Sequence, residues 1–286
     1  MYAGPKIVVA LVAAGSLALA GCNAAGGKDG EAEADVLTLL RTESAKALQT
    51  SLERTEKAQS ASFTVEGKSD GEQLNGKGSI FFGDSPRGTV TLTDPKDGPT
   101  ELRFLPTALY MSIPEKERAE MDGKEWMKLD VAAAAKLANS KEAGEMLVEY
   151  ARQLRDLDPS AQVKTLIAGG KFTVVGEETI DGVKTVHYTG TQPLAAYLAE
   201  VDAKSRAAVE SKLTKAGVKE VKVDLWVDEK YQPRRTKTVV GTVDDLTVTF
   251  SDFGTKVDVV EPPADKTLDF VQMLQELAKL GAGVGQ

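Results

Sequence analysis

Apolar residues recur at every second position along much of this chain, in runs that follow one another across short turns, and no other feature constrains the fold as strongly. Successive strand side chains point to opposite faces, so such a run has one face to bury and one to leave in water. Val221, Val223, Leu225 and Val227 share one face of a strand, and Lys222, Asp224 and Trp226 share the other. Leu246, Val248 and Phe250 alternate with threonines, as do Val90 and Leu92 within residues 89–93. Further strand patterns cover residues 63–66, 78–82, 101–104, 109–113, 126–129, 172–175, 179–188 and 234–240, and Val257 and Val259 close the series before Pro262-Pro263. Turn chemistry separates them: Gly71 and Asn75-Gly76, then residues 94–99 and 228–233. Strands that follow one another this closely pair antiparallel.

Helical spacing interrupts the β runs in blocks. Residues 35–58 carry Leu37, Leu40, Ala45, Leu48 and Leu52 at three- and four-residue intervals, with a longer gap at Ser44. Residues 131–137 are alanine-rich, and 142–157 place Met146, Leu147, Tyr150, Leu154 and Leu157 on one side, ended by Pro159. Pro193 opens a helix over 194–201, Gly217 stops one over 203–215, and residues 268–280 have a wide apolar side. Strand runs and helix blocks in one chain give an α+β fold with the helices gathered on one face of an antiparallel sheet.

The N-terminus adds a location. The sole cysteine, Cys22, closes Leu19-Ala20-Gly21-Cys22 after an apolar stretch from Ile7 to Ala20, with Lys6 ahead of it. Small residues before a cysteine fit the narrow site of a signal peptidase, and the thiol is the group that takes a thioether-linked diacylglycerol. The stretch suits a leader and is short for a spanning helix, which needs roughly 20 apolar residues. Residues 1–21 are therefore expected to be a lipoprotein signal peptide and 22–34 a lipidated, Gly- and Ala-rich tether. A single domain is expected over 35–286, on the outer face of the cell membrane. With its one cysteine acylated, the chain has no intramolecular disulfide. The formal net charge of −8 gives no electrostatic footprint for nucleic acid, and attachment to the membrane is expected from the acyl chains and not from a basic face.

Catalytic signals are weak. His187, the only histidine, alternates with Val186 and Tyr188 and reads as a strand histidine facing solvent or a polar neighbour. Phosphate loops, zinc motifs and nucleophile elbows are absent from the sequence, so neither a metal nor a cofactor is expected. Glu177-Glu178 and Asp244-Asp245 read as solvated turn carboxylates, Arg234-Arg235 as surface charges pairing with acids, and Gly67, Gly71, Gly76 and Gly78 as hairpin glycines. Asp252-Phe253-Gly254 matches a kinase tripeptide by letters alone. What remains is an excess of apolar residues inside the β pattern, compatible with a normal core or with a cavity for acyl chains.

Three segments carry a resemblance. Residues 181–188 (Asp-Gly-Val-Lys-Thr-Val-His-Tyr), Leu225-Trp226-Val227-Asp228 followed by Pro233-Arg234-Arg235, and Phe250-Ser251-Asp252-Phe253-Gly254 with Val257 and Pro262-Pro263 resemble landmarks of actinobacterial lipoproteins of the LppX/LprG kind. These share the fold of the LolA and LolB lipoprotein carriers, and the resemblance spans about residues 48–263. It implies an α+β domain whose antiparallel sheet is strongly curved into a half-barrel, with helices packed across its concave side. It also implies a non-catalytic carrier of a lipid or other amphiphile. On that reading the candidate lining residues are Phe63, Val65, Ile80, Phe82, Val90 and Leu92 on the early strands. Phe104, Val223, Leu225, Val248 and Phe250 complete the set on later ones. The alternative is an envelope interaction or sensory domain with a filled core and a protein partner.

Overall fold

The computed structural model describes residues 35–69, 71–94, 98–136, 157–199, 201 and 203–283. The leader, Cys22 and the tether lie outside the described residues, as do all but Leu157 of the helix expected over 142–157. Twelve strands form one sheet: β1 Ser60–Ser69, β2 Glu72–Phe81, β3 Arg87–Asp94, β4 Gly98–Leu105, β5 Ala108–Ser112, β6 Trp126–Asp130, β7 Phe172–Ile180, β8 Val183–Pro193, β9 Glu220–Asp228, β10 Pro233–Val240, β11 Asp244–Ser251 and β12 Thr267–Asp269. The described helices are α1 Val36–Thr42, α2 Ser44–Ala58, α3 Val131–Lys136, α4 Pro159–Ala168, α5 Leu194–Ala199, α6 Ala203–Lys215 and α7 Phe270–Gly283.

The sheet order is β12-β6-β5-β4-β3-β2-β1-β11-β10-β9-β8-β7. Two meanders, β1 to β6 and β7 to β11, are thus sewn together by the β1–β11 pair, and the curved sheet stays unclosed. Every pair is antiparallel except β12 with β6. The exception has a physical cause. After β11 the chain turns at Asp252 and Gly254, both with positive φ, and the Gly254 amide donates to Ser60. Residues 255–266 then cross the strands as a strap. Arg87 and Arg103 donate to the carbonyls of Val257 and Val260, Lys124 donates to that of Asp265, and Lys266 pairs with Glu125. This delivers β12 alongside β6 in the same direction. The expected strand at Val257 and Val259 is therefore part of an irregular crossing, with Val257 buried beneath it.

Other departures from the pattern reading are local. The helix expected over 35–58 breaks at Glu43 (φ −112°, ψ 42°), next to the long gap in apolar spacing. Pro159, expected to end a helix over 142–157 that lies, but for Leu157, outside the described residues, starts α4. It occupies the first turn, where its missing N–H is no loss, and the Asp158 carboxylate accepts from the Ser160 amide at 2.8 Å. Leu268 lies in β12, so the last helix begins at Phe270. Asn75-Gly76 is not a turn but the middle of β2, opposite Glu66 and Val65. Of the four supposed hairpin glycines only Gly71 lies at a turn. At Gly76 a Cβ would come within 2.8 Å of a Leu92 methyl carbon, so glycine is what lets that side chain lie across the strand.

The helices pack across the concave side. Leu37 and Leu40 of α1, Ala47 and Leu48 of α2, and Val163 and Leu166 of α4 bury against Val186, Tyr188, Val221, Val223, Leu225 and Val227. The Tyr188 hydroxyl donates to the Leu40 carbonyl at 2.7 Å, satisfying one of the four carbonyls that a helix C-terminus leaves open. Burial raises the pKa of that hydroxyl above its ordinary value of 10.0.

Candidate functional site

Cross-strand register puts the predicted lining residues on one face. One row runs Leu225, Thr236, Val248, Val65, Gly76, Leu92 across β9, β10, β11, β1, β2 and β3. The next runs Phe250, Phe63, Gly78, Val90. Ile80 and Phe104 flank Gly88 in a third, Val223 pairs with Thr238 in a fourth, and Phe82 follows β2 with the parity of Ile80.

These residues do not form one patch. Val223 and Leu225 belong to the apolar cluster beneath α1, α2 and α4. Phe63, Val65, Ile80, Val90, Phe104, Val248 and Phe250 belong to a second cluster with Ala61, Leu102, Leu157 and Leu246, and Phe82 and Leu92 pack at its margin. Between the two clusters runs a polar seam. β10 turns Thr236 and Thr238 toward this face, and the Thr238 hydroxyl donates to the Gln162 side-chain carbonyl of α4 at 3.2 Å. Next to it Tyr197, Thr238, Val240, Asp244, Leu246 and Val248 line a cavity of about 10 Å³. Asp244, read as a solvated turn residue, is buried here, and its carboxylate accepts from the Ser69 hydroxyl at 2.7 Å. Sequence reasoning missed this seam. Its signal was the pair of threonines at the inward positions of residues 234–240, where the neighbouring strands carry Val, Leu or Phe.

The opposite face gathers charge around His187. Its ring stacks on Trp226 with centroids 4.1 Å apart. Nδ1 lies 2.8 Å from Glu178 Oε1 and Nε2 3.0 Å from Asp224 Oδ1. The Trp226 indole donates to Glu178 Oε2 at 2.8 Å, and Lys222 pairs with Asp224 at 3.1 Å. The expected polar neighbour of His187 is thus two carboxylates, and Glu178 is a strand residue and not a turn residue. Arg235 donates to Thr249, and its charge also acts on the Glu178 carboxylate. A neutral imidazole donates through one nitrogen only, a protonated one through both. This arrangement fastens β7, β8 and β9 to one another.

The cluster sets a pH dependence. The Trp226 N–H, with His187 adding to it, holds the Glu178 carboxyl below its ordinary 4.5. Burial pushes Asp224 up, but donation from Thr189, His187 and Lys222 outweighs this and leaves its pKa below 3.8. A carboxylate whose folded pKa is depressed adds stability that is full above its unfolded pKa and is lost as pH falls through the folded one. Acid titration of unfolding free energy is therefore expected to show a decline starting near pH 5 and continuing below the ordinary carboxylate range of about 4. Glu178→Gln should make that decline shallower; an unchanged acid slope would contradict the assignment.

Comparison with known proteins bears on the family and the fold. The profile of the LppX_LprAFG lipoprotein family matches residues 153–259. A Streptomyces griseus protein, described as an uncharacterized 31.2 kDa protein in the rplA-rplJ intergenic region, is 30% identical over 252 residues, 80% of either chain. A putative lipoprotein of Streptomyces coelicolor is 27% identical over 216 residues, 70% of this chain and 66% of that one. The crystal structure of LprF from Mycobacterium bovis superposes with a TM-score of 0.50 at 15% identity, covering 78% of this chain and 98% of that one, and so shares the fold. On the sequence relationship and the curved sheet together, the chain belongs to the LppX_LprAFG lipoprotein family.

Proposed function

We propose that this protein is a non-catalytic envelope lipoprotein, acylated at Cys22 and held on the outer face of the cell membrane, that binds and carries a lipid or other amphiphile on its concave face. In this reading residues 1–21 are the removed leader, 22–34 the tether and 35–286 one domain. The observation that carries it is the common face of Phe63, Val65, Ile80, Val90, Phe104, Val248 and Phe250, seven apolar side chains brought onto one side of the curved sheet. Burying an acyl chain of about 16 carbons contributes roughly 12 kcal/mol before the entropic losses, at about 0.8 kcal/mol per methylene. Affinity is easily reached this way, with no charged group needed.

A second reading has one observation in its favour. Val223 and Leu225 lie in a packed cluster filled by the protein's own helices, as a protein-binding module with a solid core would have them. Native mass spectrometry of the chain from Asn23 onward separates the two. A stoichiometric adduct of lipid mass supports the carrier. A clean mass that persists after incubation with a membrane lipid extract would contradict it and favour the protein partner.

A further inference from the structure

Arg234 brings a positive charge to the face assigned to the ligand. Its neighbours in β10 fix the direction. Thr236 turns inward between Leu225 and Val248, and Arg235 turns outward, where it donates to Thr249. Alternation then turns Arg234 inward. A β-bulge adds to this. The register of β10 against β9 shifts between Pro233 and Arg235, so Arg234 is the extra residue, set with Pro233 against the inward Val227. One step beyond the Arg235–Thr249 pair, Arg234 lies in line with Phe250, at the end of the row Phe250, Phe63, Gly78, Val90.

This cation lacks the acid expected for it. Arg234 is half-buried, and its Nε is enclosed with no hydrogen-bond partner. None of the ion pairs among the described residues includes it. The acids nearest in sequence are otherwise placed. Asp228 Oδ1 accepts from the amides of Lys230 and Gln232, and Glu229 is exposed at the hairpin turn. A buried N–H without an acceptor is destabilising, and a guanidinium does not lose its proton to relieve it.

We propose that Arg234 holds the anionic head of the amphiphile, a carboxylate or phosphate, while the tail runs along Phe250 and Phe63. The inference rests on the ligand-binding reading above and names its ligand class. An oxyanion supplies the acceptor that Nε lacks and offsets the charge, and the planar guanidinium fork matches it with two parallel hydrogen bonds. A tail leaving such a head meets the Phe250 ring first and then the rest of the row. A hydroxyl head offers an acceptor but no charge, so it leaves the guanidinium uncompensated.

The test is competition against radiolabelled oleate on the full chain at about pH 8, where its carboxyl is ionised, below the micellar concentration of each lipid. Oleyl alcohol, which has the same tail and a neutral head, is expected to compete at least about tenfold less well than unlabelled oleate. Arg234→Met keeps the length of the side chain and removes its charge. It should weaken oleate by about tenfold or more and change oleyl alcohol by less than about threefold, while Arg235→Met on the outer face alters neither. Millimolar inorganic phosphate should not displace oleate; displacement would mark Arg234 as a site for a free anion and overturn the lipid-head assignment. Equal competition by oleyl alcohol on the native chain would overturn the inference and leave the carrier reading intact, as would an Arg234→Met chain that loses both lipids equally. Absence of saturable binding by either lipid would overturn both. Should Arg234→Met fail to fold, the selectivity of the native chain decides.

Discussion

Phe250→Ala is expected to lower the stability of the domain by about 3–5 kcal/mol, the range for removing a buried phenylalanine. Phe250 is fully buried and stands in β11 opposite Phe63 of β1, the one pairing that joins the two meanders. Its ring also lies 6.3 Å from that of Phe253 in the turn that launches the strap. Truncation leaves a cavity at a seam where both halves and the strap converge, with little freedom to collapse into it. For a domain of this length the loss corresponds to a fall in melting temperature on the order of 10 °C. Urea unfolding of the two proteins, with circular dichroism as the probe, measures it. A change below about 1 kcal/mol would mean that the β1–β11 junction is not where the two halves are held.

Gly78→Ala is expected to be as damaging, for a different reason. A Cβ at Gly78 would lie 1.9 Å from the Thr89 carbonyl oxygen and 2.9 Å from the Val90 Cα, both backbone atoms that cannot rotate away. Strands β2 and β3 would have to separate, in the middle of the apolar row that joins Phe63 to Val90. Overpacking of this kind usually costs about 1–3 kcal/mol, and a clash with fixed backbone belongs at or above the top of that range. Gly71→Ala provides the contrast. Its φ is +86° with nothing within 4 Å of a Cβ, so only the backbone preference is lost, roughly 1 kcal/mol. Equal stabilities for the two alanine variants would contradict the close approach of β2 and β3.

Much of this was legible in the residues, and the failures have identifiable causes. Alternation put Val248 with Phe250, and Val223 with Leu225, on one face of their strands, because a two-residue period admits no other arrangement once the strand is granted; burial of one side of the sheet then brings the apolar sides of neighbouring strands together. The same logic failed at Gly76, where a turn residue inside a strand looks identical to one at a hairpin until the facing Leu92 is known. A proline after a helical pattern signals a stop, but the Asp158-Pro159 pair also signals a start, with the carboxylate as cap and the ring at the first turn, and the start is what the spacing of 142–157 does not announce. β12 is three residues long and exists only because the strap brings it to β6, so no local pattern announces it. The partners of His187 lie 9 and 37 residues away along the chain, and the buried cavity beside Asp244 depends on α5 and β10 together. Contacts of that kind are set by register and packing and are not written in the spacing of any one segment.

The account's central claim is that the concave face is the ligand face, and acyl photolabelling addresses it most directly. A long-chain fatty acid bearing a diazirine near the end of its tail is irradiated with the full chain, and the labelled peptides are mapped. The expected result is saturable labelling of β1, β2 and β11 around Phe63, Ile80 and Phe250, suppressed by excess unlabelled lipid. Labelling confined to the outer-face residues around Trp226 and Trp126, or labelling that never saturates, would contradict it.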